Sequence, residues 1–412
     1  MSERLVANRP LREALHRRLL SAPFDPAEVG PVELRARLTS LLHDEAPLVT
    51  DLAAARVLDD LVAEVDGLGP LQVLVSDPTI TEIMVNGPHR VFVERDGRIE
   101  AVDCEIDGDA IVRVVERVIA PLGLRLDRAS PMVDARLADG SRLHAVLPPL
   151  APDGPCLTIR RFAKRSVSLS DFGLDRVAVT FVETMVRAGW NIVVSGATSA
   201  GKTTCANALV HAIDASERVV TIEETAELRL DQPHVVRLEA RPANAEGAGA
   251  VSVRELVRAS LRMRPDRLVV GEVRGAEAFD MLQALNTGHD GSVSTVHANS
   301  PADALARLET LVLLAGVALP LHAVRAQVSA AVDAIVQVAR GEGGARMVVA
   351  VAEVGAAVEM GAAGESDAGR VRLLLARENG KVVAIEPPTR PARRVGFDLE
   401  GVWCRCARSS SR

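Results

Sequence analysis

Aromatic residues are nearly absent from this sequence of 412 residues, which contains no tyrosine, two tryptophans and seven phenylalanines. Such scarcity argues against the aromatic platforms on which single-stranded nucleic acids stack their bases. The net charge of −7 gives no global basic field of the kind that accompanies DNA binding. A nucleic-acid partner is therefore not expected, and the core must be built from Ala, Val and Leu.

Cysteine pairs and long apolar runs are also missing. Of the five cysteines only Cys404 and Cys406 lie close together, and no second pair completes a zinc site. We expect free thiols in a reducing cytoplasm, and no zinc. The sequence has no run of about 18 apolar residues, and its first residues, rich in Arg and Glu, lack an apolar signal region. These absences predict a cytoplasmic protein without a membrane-spanning helix.

A complete G-x-x-x-x-G-K-[ST] phosphate loop is present. An apolar run at 192–194 predicts a buried strand before it, and the residues after it predict a helix. In this setting glycines let backbone N–H groups turn toward phosphate, and the helix dipole favours negative charge. Lys202 would reach the β- and γ-phosphates of ATP, and the Thr203 hydroxyl would ligate Mg²⁺. A Gly-rich turn without a ligand is the alternative. The predicted nucleotide-binding residues are Gly196, Ala197, Thr198, Ser199, Ala200, Gly201, Lys202, Thr203 and Thr204.

The patterns along the chain predict a helical segment, two domains, a hinge and a tail. Residues 1–65 show apolar residues at helical spacing, and residues 66–165 mix short strands with a helix, which predicts an α+β domain. A polar hinge linker at 166–173 leads to residues 174–388, where β and α patterns alternate as in an α/β domain with a largely parallel sheet. The basic residues 389–412 are expected to form a loosely ordered tail. In the α/β domain, strands are predicted after the phosphate loop at 218–223, 235–238, 268–272, 292–296 and 334–338.

Two predicted strands end in carboxylates at the sheet edge that carries the phosphate loop. Glu223 and Glu224 follow one of them, and either could orient or deprotonate a water molecule. A solvated acidic turn is the alternative. Glu272 follows another apolar strand in the layout of a Walker B strand, and it would hold Mg²⁺ through the water shell of the ion.

One histidine and a group of arginines complete the candidate set. His297 ends a third strand of the same sheet and could sense a γ-phosphate, although a lone histidine is more often a core or surface residue. Arg136, Arg142, Arg160 and Arg161 cluster in the α+β region, where each alone would most often be solvated. Beside a nucleotide domain, Arg142 and Arg160 become candidate arginine fingers that neutralise phosphate charge.

These segments, in this order, resemble the ATPases of type II and type IV secretion and of type IV pilus systems. In that family they are called Walker A, Asp box, Walker B and His box. They read GATSAGKTT (196–204), TIEETAEL (221–228), LRMRPDRLVVGEVRG (261–275) and TGHDGSVSTVHANSPADALARLE (287–309). Three upstream segments are most similar to the CpaF/TadA branch, which serves tight-adherence, Flp-type pili: GPLQVLVSDPTITEIMVNG (69–87), SPMVDARLADGSR (130–142) and TIRRFAKRSVSL (158–169). The resemblance covers roughly residues 57–340.

The resemblance implies a fold and a set of roles. The fold would be α/β, with a C-terminal RecA-like P-loop ATPase domain preceded by a small α+β, PAS-like domain and a helical N-terminal segment. Glu223 would be the catalytic base, Glu272 the Walker B acid, His297 the γ-phosphate-side histidine, and Arg142 with Arg160 the arginine pair. Family members resemble hexameric rings that hydrolyse ATP and pass force to inner-membrane platform proteins. We therefore expect a homo-hexamer at the inner face of the cytoplasmic membrane that drives pilus assembly or protein secretion.

The sequence departs from the family pattern at two places in the site. Ser199 and Ala200 stand where the family usually has Gly-Ser, so that Ala200 must adopt ordinary backbone dihedrals while Gly201 keeps its flexibility. Glu224 replaces the usual Asp, which leaves the choice between Glu223 and Glu224 open. The paired-cysteine zinc element of some type II members is absent. Two other functions remain open: a conjugation ATPase that moves DNA, and a nucleotide-gated assembly component with little turnover.

Overall fold

A computed structural model describes residues 31–46, 49–65, 67–95, 97–161, 167–243, 246–341, 344–355 and 370–410, together with residues 11, 14, 15 and 17–19. The chain divides into two compact units, residues 1–163 and 164–412, and each is considered by itself. Among the described residues, no helix is both long enough and apolar enough to cross a membrane.

The first unit opens with two helices, α1 (Pro31–Glu45) and α2 (Asp51–Val65). Helices form here because leucines recur every three or four residues and share one face of each helix. Leu34 and Leu38 of α1 are buried in the same cluster as Leu58 and Leu61 of α2. The two apolar faces therefore bury each other.

An antiparallel sheet forms the rest of the first unit. Its elements are α3 (Gln72–Ser76), β1 (Ile80–Asn86), β2 (Val91–Arg95), β3 (Arg98–Val102), α4 (Gly108–Ile119), β4 (Met132–Arg136), β5 (Arg142–Val146) and β6 (Cys156–Arg160). The described strands lie in the order β3-β2-β1-β6-β5-β4. The Asp107 carboxylate caps α4 by accepting the Ala110 N–H at 2.7 Å. Ile111 and Val115 of α4 are buried in the core of this sheet.

The second unit alternates strands and helices. Its elements are α5 (Arg176–Arg187), β7 (Ile192–Gly196), α6 (Lys202–Val210), β8 (Val219–Glu223), β9 (Val235–Glu239), α7 (Val253–Ser260), β10 (Arg267–Val270), α8 (Glu277–Asn286), β11 (Val293–His297), α9 (Pro301–Leu314), α10 (Leu321–Ala331), β12 (Ala334–Arg340), β13 (Arg346–Val354), β14 (Val371–Glu378), β15 (Lys381–Ala384) and α11 (Leu399–Ser410). The described strands form one sheet in the order β15-β14-β13-β12-β7-β11-β10-β8-β9.

The central part of this sheet is parallel and covered on both faces. From β12 to β9 every strand pair is parallel, whereas β13, β14 and β15 extend the sheet as antiparallel strands. On β7, Ile192 and Val194 pack toward α5 and α6, while Val193 packs toward α8 and α9. Such continuous apolar strands are typical of buried parallel sheets. The predicted α/β fold class is confirmed; the antiparallel extension was not predicted.

The structure corrects the predicted hinge at residues 166–173. Leu169 and Phe172 are 3% and 0% exposed, respectively, in the core of the second unit. The Ser168 N–H donates to the Asp171 carboxylate at 2.8 Å, which closes a capping box around this short 3₁₀ helix. The polar residues of the segment cap a turn whose apolar residues are anchored. Residues 162–166, which include the first residue of the predicted hinge, lie outside the described residues.

The structure also corrects the expectation of a loosely ordered tail at residues 389–412, of which 389–410 are described. Leu399, Val402 and Cys406 of α11 are buried in the core of the second unit, and α11 packs against α5 and β15. These three positions lie on one face of a helix. Arg and Ser are the most frequent residues of the segment, so the helical spacing of its apolar residues is difficult to recognise in the sequence.

Arginines ahead of α11 bind carboxylates at the amino-terminal edge of the sheet. Asp333, directly before β12, is 3% exposed. It accepts the Arg390 Nη1 at 2.5 Å and the Arg393 Nε at 2.6 Å. Glu217, two residues before β8, accepts the Arg394 Nη2 at 2.6 Å. An isolated buried carboxylate is strongly disfavoured, so these arginines are part of what makes the sheet edge stable.

We expect Asp333→Asn to destabilise the second unit strongly. The substitution keeps the shape of the side chain but leaves the partly buried Arg390 guanidinium without its carboxylate and Arg393 with Asp290 alone. Breaking a buried pair from one side typically lowers the free energy of unfolding by about 3–5 kcal/mol. Both tryptophans, Trp190 and Trp403, lie in the second unit. Their fluorescence during chemical denaturation therefore reports on this unit alone.

A matched control is Arg372→Ala, which removes the exposed pair between Arg372 and Glu386. Exposed pairs contribute only about 0–1 kcal/mol. If the Asp333 and Arg372 variants unfold at the same denaturant concentration, the arginines of the tail do not stabilise the sheet.

Candidate nucleotide-binding site

The phosphate loop connects the end of β7 to the first turn of α6, as predicted. Gly201 directly precedes α6 and has a φ of 95°, in the left-handed region that favours glycine. At Gly196 a Cβ would lie 2.5 Å from the Val338 carbonyl oxygen, so only glycine fits beside β12. The first N–H groups of α6 have no acceptor within the helix and can bind an anion.

Ser199 carries the backbone strain of the loop. Its φ is 59°, whereas Ala200 is not among the described residues with positive φ. The expectation of ordinary dihedrals at Ala200 is confirmed, and the left-handed conformation falls on the residue before it. That conformation costs a residue with a Cβ about 1–2 kcal/mol. Arg340, at the end of β12, donates its Nε–H to the Ser199 carbonyl oxygen at 2.7 Å and holds the loop in this shape.

Lys202 is folded back over the loop. Its side chain is 7% exposed, and the ammonium donates to the Ala197 carbonyl oxygen at 3.1 Å. It also lies 3.1 Å from the His297 Nδ1. The ammonium therefore lies over the loop, and phosphate oxygens could replace its two present partners.

His297 links Lys202 to Glu272. Its Nε2 lies 2.5 Å from the Glu272 Oε1. Burial and the nearby Lys202 ammonium lower the pKa of His297, against the opposing effect of Glu272. A neutral imidazole satisfies both neighbours if Nδ1 accepts from Lys202 and Nε2–H donates to Glu272. The other Glu272 oxygen accepts the Arg274 Nε at 2.7 Å.

Glu223 and Glu224 differ sharply in their surroundings. Glu223 is 3% exposed, while Glu224 is exposed and pairs with Arg274 at 2.8 Å. The Glu223 Oε1 accepts the N–H groups of residues 227 and 228 at 2.8 and 3.0 Å. Its buried Oε2 has no hydrogen-bond partner among the described residues. Burial outweighs the two amide hydrogen bonds and raises the pKa of Glu223 to about 7. A Cβ on Gly271 would lie 2.7 Å from the Glu223 Cγ, so this glycine makes room for the carboxylate.

The residues present fit a nucleotide with Mg²⁺. The loop offers first-turn N–H groups and the Lys202 ammonium to phosphate, and the orphaned Glu223 oxygen can accept a proton or a hydrogen bond from water. Thr203 and Glu272 are the predicted Mg²⁺ ligands. Within the described part of the chain no group of three or more His, Cys, Asp or Glu side chains could hold a metal ion. These two residues would therefore bind Mg²⁺ together with phosphate oxygens and water.

The predicted arginines lie in the first unit, whereas the other predicted site residues lie in the second. Arg142 begins β5 and Arg160 ends β6, and they are direct partners in the antiparallel register. Arg136 of β4 pairs with Arg142, so three arginines stand in one row across three strands. Arg161, just beyond β6, instead donates to the Ile80 carbonyl oxygen at 2.9 Å.

The sequence analysis missed four residues of the site. Gly271 makes room for Glu223, Arg274 pairs with Glu272, and Arg340 and Arg346 contact the phosphate loop and α6. The sequence does contain a signal for Arg340 and Arg346, because they flank a Gly-rich segment directly after a strand predicted in the same sheet. Nothing in the spacing alone indicates that their side chains turn toward the loop.

We expect Glu223→Gln to change how stability depends on pH. Because the pKa of Glu223 is raised from 4.5 to about 7, the native state keeps a proton that the unfolded chain has already lost. The free energy of unfolding of the unmodified protein therefore falls as the pH rises through this window. Glutamine removes that dependence, so the variant should be more stable than the unmodified protein by on the order of 3 kcal/mol at pH 8. Near pH 5 the two should be similar.

The control is Glu224→Gln, which removes an exposed carboxylate one residue away. Denaturant titrations at several pH values, followed by tryptophan fluorescence, measure all three proteins. Parallel pH profiles for the Glu223 variant and the unmodified protein would show that this carboxylate is not held in a desolvated environment.

Comparison with known proteins gives a consistent result. Residues 64–368 match the family model described as type II/IV secretion system protein. A protein of Mycobacterium tuberculosis whose name refers to conjugal transfer is 42% identical over 312 residues, covering 73% of this chain and 87% of that protein. The type IV secretion system protein PtlH of Bordetella pertussis is 37% identical over 330 residues, covering 70% and 95%. Among solved structures, the pilus retraction motor PilT with bound ADP aligns with a TM-score of 0.50 at 20% identity, covering 68% of this chain and 79% of that chain. This last likeness supports the fold alone.

Proposed function

The chain belongs to the type II/IV secretion system protein family, and from that premise we propose that it is a motor ATPase that hydrolyses ATP to drive secretion or pilus assembly. The predicted family is thereby confirmed, and the CpaF/TadA branch stays a prediction. One observation carries the proposal: the buried Glu223 carboxylate, at the sheet edge that carries the phosphate loop, has one oxygen without a hydrogen-bond partner in the part of the chain that the structure describes. Hydrolysis requires a group that accepts the proton of a water molecule, whereas nucleotide binding alone does not.

The loop and α6 would bind the phosphates. The first N–H groups of α6 face the phosphates, and Lys202 exchanges the Ala197 carbonyl and His297 for β- and γ-phosphate oxygens. Thr203 and Glu272 hold Mg²⁺, with Glu272 acting through water. When bound, Mg²⁺ neutralises phosphate charge and ATP supplies the bond that is broken. The residues of the chain then have to position a water molecule and take its proton.

We assign the proton acceptor to Glu223. Its free Oε2 can accept the proton of a water molecule, and its pKa of about 7 suits a base that works near neutral pH. The two amide N–H groups on Oε1 hold the carboxylate in one orientation. Glu224 is exposed and paired with Arg274, so it lacks both properties.

His297 is proposed to report the presence of the γ-phosphate. Its Nδ1 lies 3.1 Å from the Lys202 ammonium, while its Nε2 lies beside Glu272. When Lys202 turns to phosphate, Nδ1 loses its donor and the imidazole can rearrange. The histidine thus connects phosphate binding to the carboxylate that is proposed to hold Mg²⁺.

Arg142 and Arg160 are proposed to act on phosphate charge during turnover. Like charges placed directly opposite each other on a sheet are unfavourable. An anionic ligand would offset the repulsion within the row of Arg136, Arg142 and Arg160. Guanidinium groups suit phosphate because they bind two oxygens at once.

The assembly and its partners are further parts of the proposal. We infer a homo-hexamer that is cytoplasmic, associated with the inner face of the cytoplasmic membrane, and coupled to inner-membrane platform proteins. Its α+β domain and ATPase domain would rotate against each other as ATP is hydrolysed. This inference is supported by the family match and by the relative PtlH, whose name describes it as a type IV secretion system protein.

A second candidate is a DNA-translocating ATPase of a conjugation system. The name of the Mycobacterium tuberculosis relative favours it. The scarcity of aromatic residues and the net charge of −7 weigh against it. Turnover that rises several-fold when single- or double-stranded DNA is added would favour this candidate over protein transport.

We expect Lys202→Ala to abolish ATP turnover and to weaken nucleotide binding. The substitution removes the side-chain cation that the loop offers to the β- and γ-phosphates, and the loss of one such contact typically lowers the rate by about 10²–10³-fold. Phosphate release and titration with a fluorescent ATP analogue measure the two effects. Lys381→Ala, at an exposed position of β15, is the control. Unchanged turnover in the Lys202 variant would refute the proposed site, and absence of turnover in the unmodified protein would favour a nucleotide-gated component.

We expect Arg142→Ala and Arg160→Ala to lower turnover strongly while nucleotide affinity stays nearly the same. Arginine fingers contribute roughly 10³–10⁵-fold to the rate of phosphoryl transfer. The same two assays apply, and Arg98→Ala, at an exposed position of β3 in the same sheet, is the matched control. Full activity in both variants would mean that the row of arginines serves another purpose.

A further inference from the structure

Two arginines of the β12–β13 hairpin contact the phosphate loop and α6. Arg340 ends β12 and Arg346 begins β13, and the two are direct partners in the antiparallel register. The Arg340 Nε–H donates to the Ser199 carbonyl oxygen at 2.7 Å. The Arg346 Nη1 lies 3.2 Å from the Thr204 hydroxyl, in the first turn of α6. Both side chains are exposed, so a ligand could reach their guanidinium groups.

The Arg346 side chain also passes close to Gly201, the loop glycine with a left-handed backbone conformation. A Cβ at Gly201 would lie 2.7 Å from the Arg346 Cδ and 3.3 Å from its Nε. The glycine thus allows the arginine to pass close to the backbone at the point where α6 begins. The guanidinium stands at the positive end of the helix dipole, where a bound anion is stabilised.

The order of strands indicates which end of a nucleotide would reach Arg346. On one side of β7 lie β11, β10 and β8. His297 ends β11, Glu272 follows β10 and Glu223 ends β8. On the other side of β7 lie β12 and β13. Lys202, which would take the β- and γ-phosphates, turns toward His297. A triphosphate on the loop therefore has its γ end toward β11 and its α-phosphate toward the β12–β13 hairpin.

We propose that Arg346 is a nucleotide-binding residue that contacts the α-phosphate of a nucleotide on the loop. The inference rests on the proposed function and names a ligand contact that the motif residues do not include. Arg346 binds a phosphate that keeps its charge throughout hydrolysis. It therefore contributes to affinity for ATP and ADP alike and leaves the chemical step unchanged.

The test compares Arg346→Ala and Arg346→Lys with the unmodified full-length chain. We expect the alanine variant to bind ADP and ATP about tenfold or more weakly, since a charge-assisted hydrogen bond is lost. Its kcat at saturating ATP should stay close to normal, so that KM rises alone. Inorganic tripolyphosphate should lose affinity by a similar factor, because it has no base and still fills the α position. Lysine should restore part of the affinity, because it keeps the charge.

Arg372→Ala is the matched control, because it removes an exposed arginine of β14 that pairs with Glu386. Thermal melting of each variant checks that the second unit is folded. Unchanged ADP affinity in Arg346→Ala would overturn the inference. So would a fall in kcat at unchanged affinity, which would make Arg346 an arginine finger. Weaker ATP binding with normal tripolyphosphate binding would overturn it too, because that result points to contact with the base.

The same titrations separate this inference from the proposed function. If the unmodified protein binds neither ADP nor ATP, the nucleotide site itself is refuted. If it binds both and Arg346→Ala binds them equally well, only the role of Arg346 is refuted.

Discussion

Everything at the candidate site depends on the position of β7, which is hydrogen-bonded in parallel to β11 on one side and to β12 on the other. Parallel strands end at the same edge of a sheet, so this pairing joins parts of the chain that are remote in sequence. Lys202 and His297 are 95 residues apart, and Ser199 and Arg340 are 141 apart. A slip of one residue in either pairing would turn the side chains of that strand to the opposite face.

The parts that the sequence predicts well are those with a local signal. The apolar runs predict the strands of the parallel sheet, and the loop motif predicts the turn between β7 and α6. The choice between Glu223 and Glu224 has no local signal, because burial depends on Gly271 in another strand. The contact of Arg340 with Ser199 likewise depends on the order of strands. At α11 the composition predicts the wrong result, because the buried residues Leu399, Val402 and Cys406 lie in a segment rich in Arg and Ser.

The described site is a chain of polar contacts in which a neutral histidine lies between a cation and an anion. Lys202, His297, Glu272, Arg274 and Glu224 follow one another at distances of 2.5 to 3.1 Å. An incoming phosphate would replace the contacts of Lys202 at one end of this chain. Glu223 stands apart from this chain, and burial is the largest influence on its pKa.

The arginines that follow β15 have a consequence for biosynthesis. Asp333 acquires Arg390 and Arg393 as partners, and Glu217 acquires Arg394 beside Arg267, only after β15 has been made. Until these residues leave the ribosome, Asp333 lacks its counter-charges, and α11 cannot cover α5. The second unit thus reaches its native stability only after α11 has left the ribosome. A nonsense codon between β15 and Arg390 would then yield a nascent chain that chaperones and proteases recognise as unfolded.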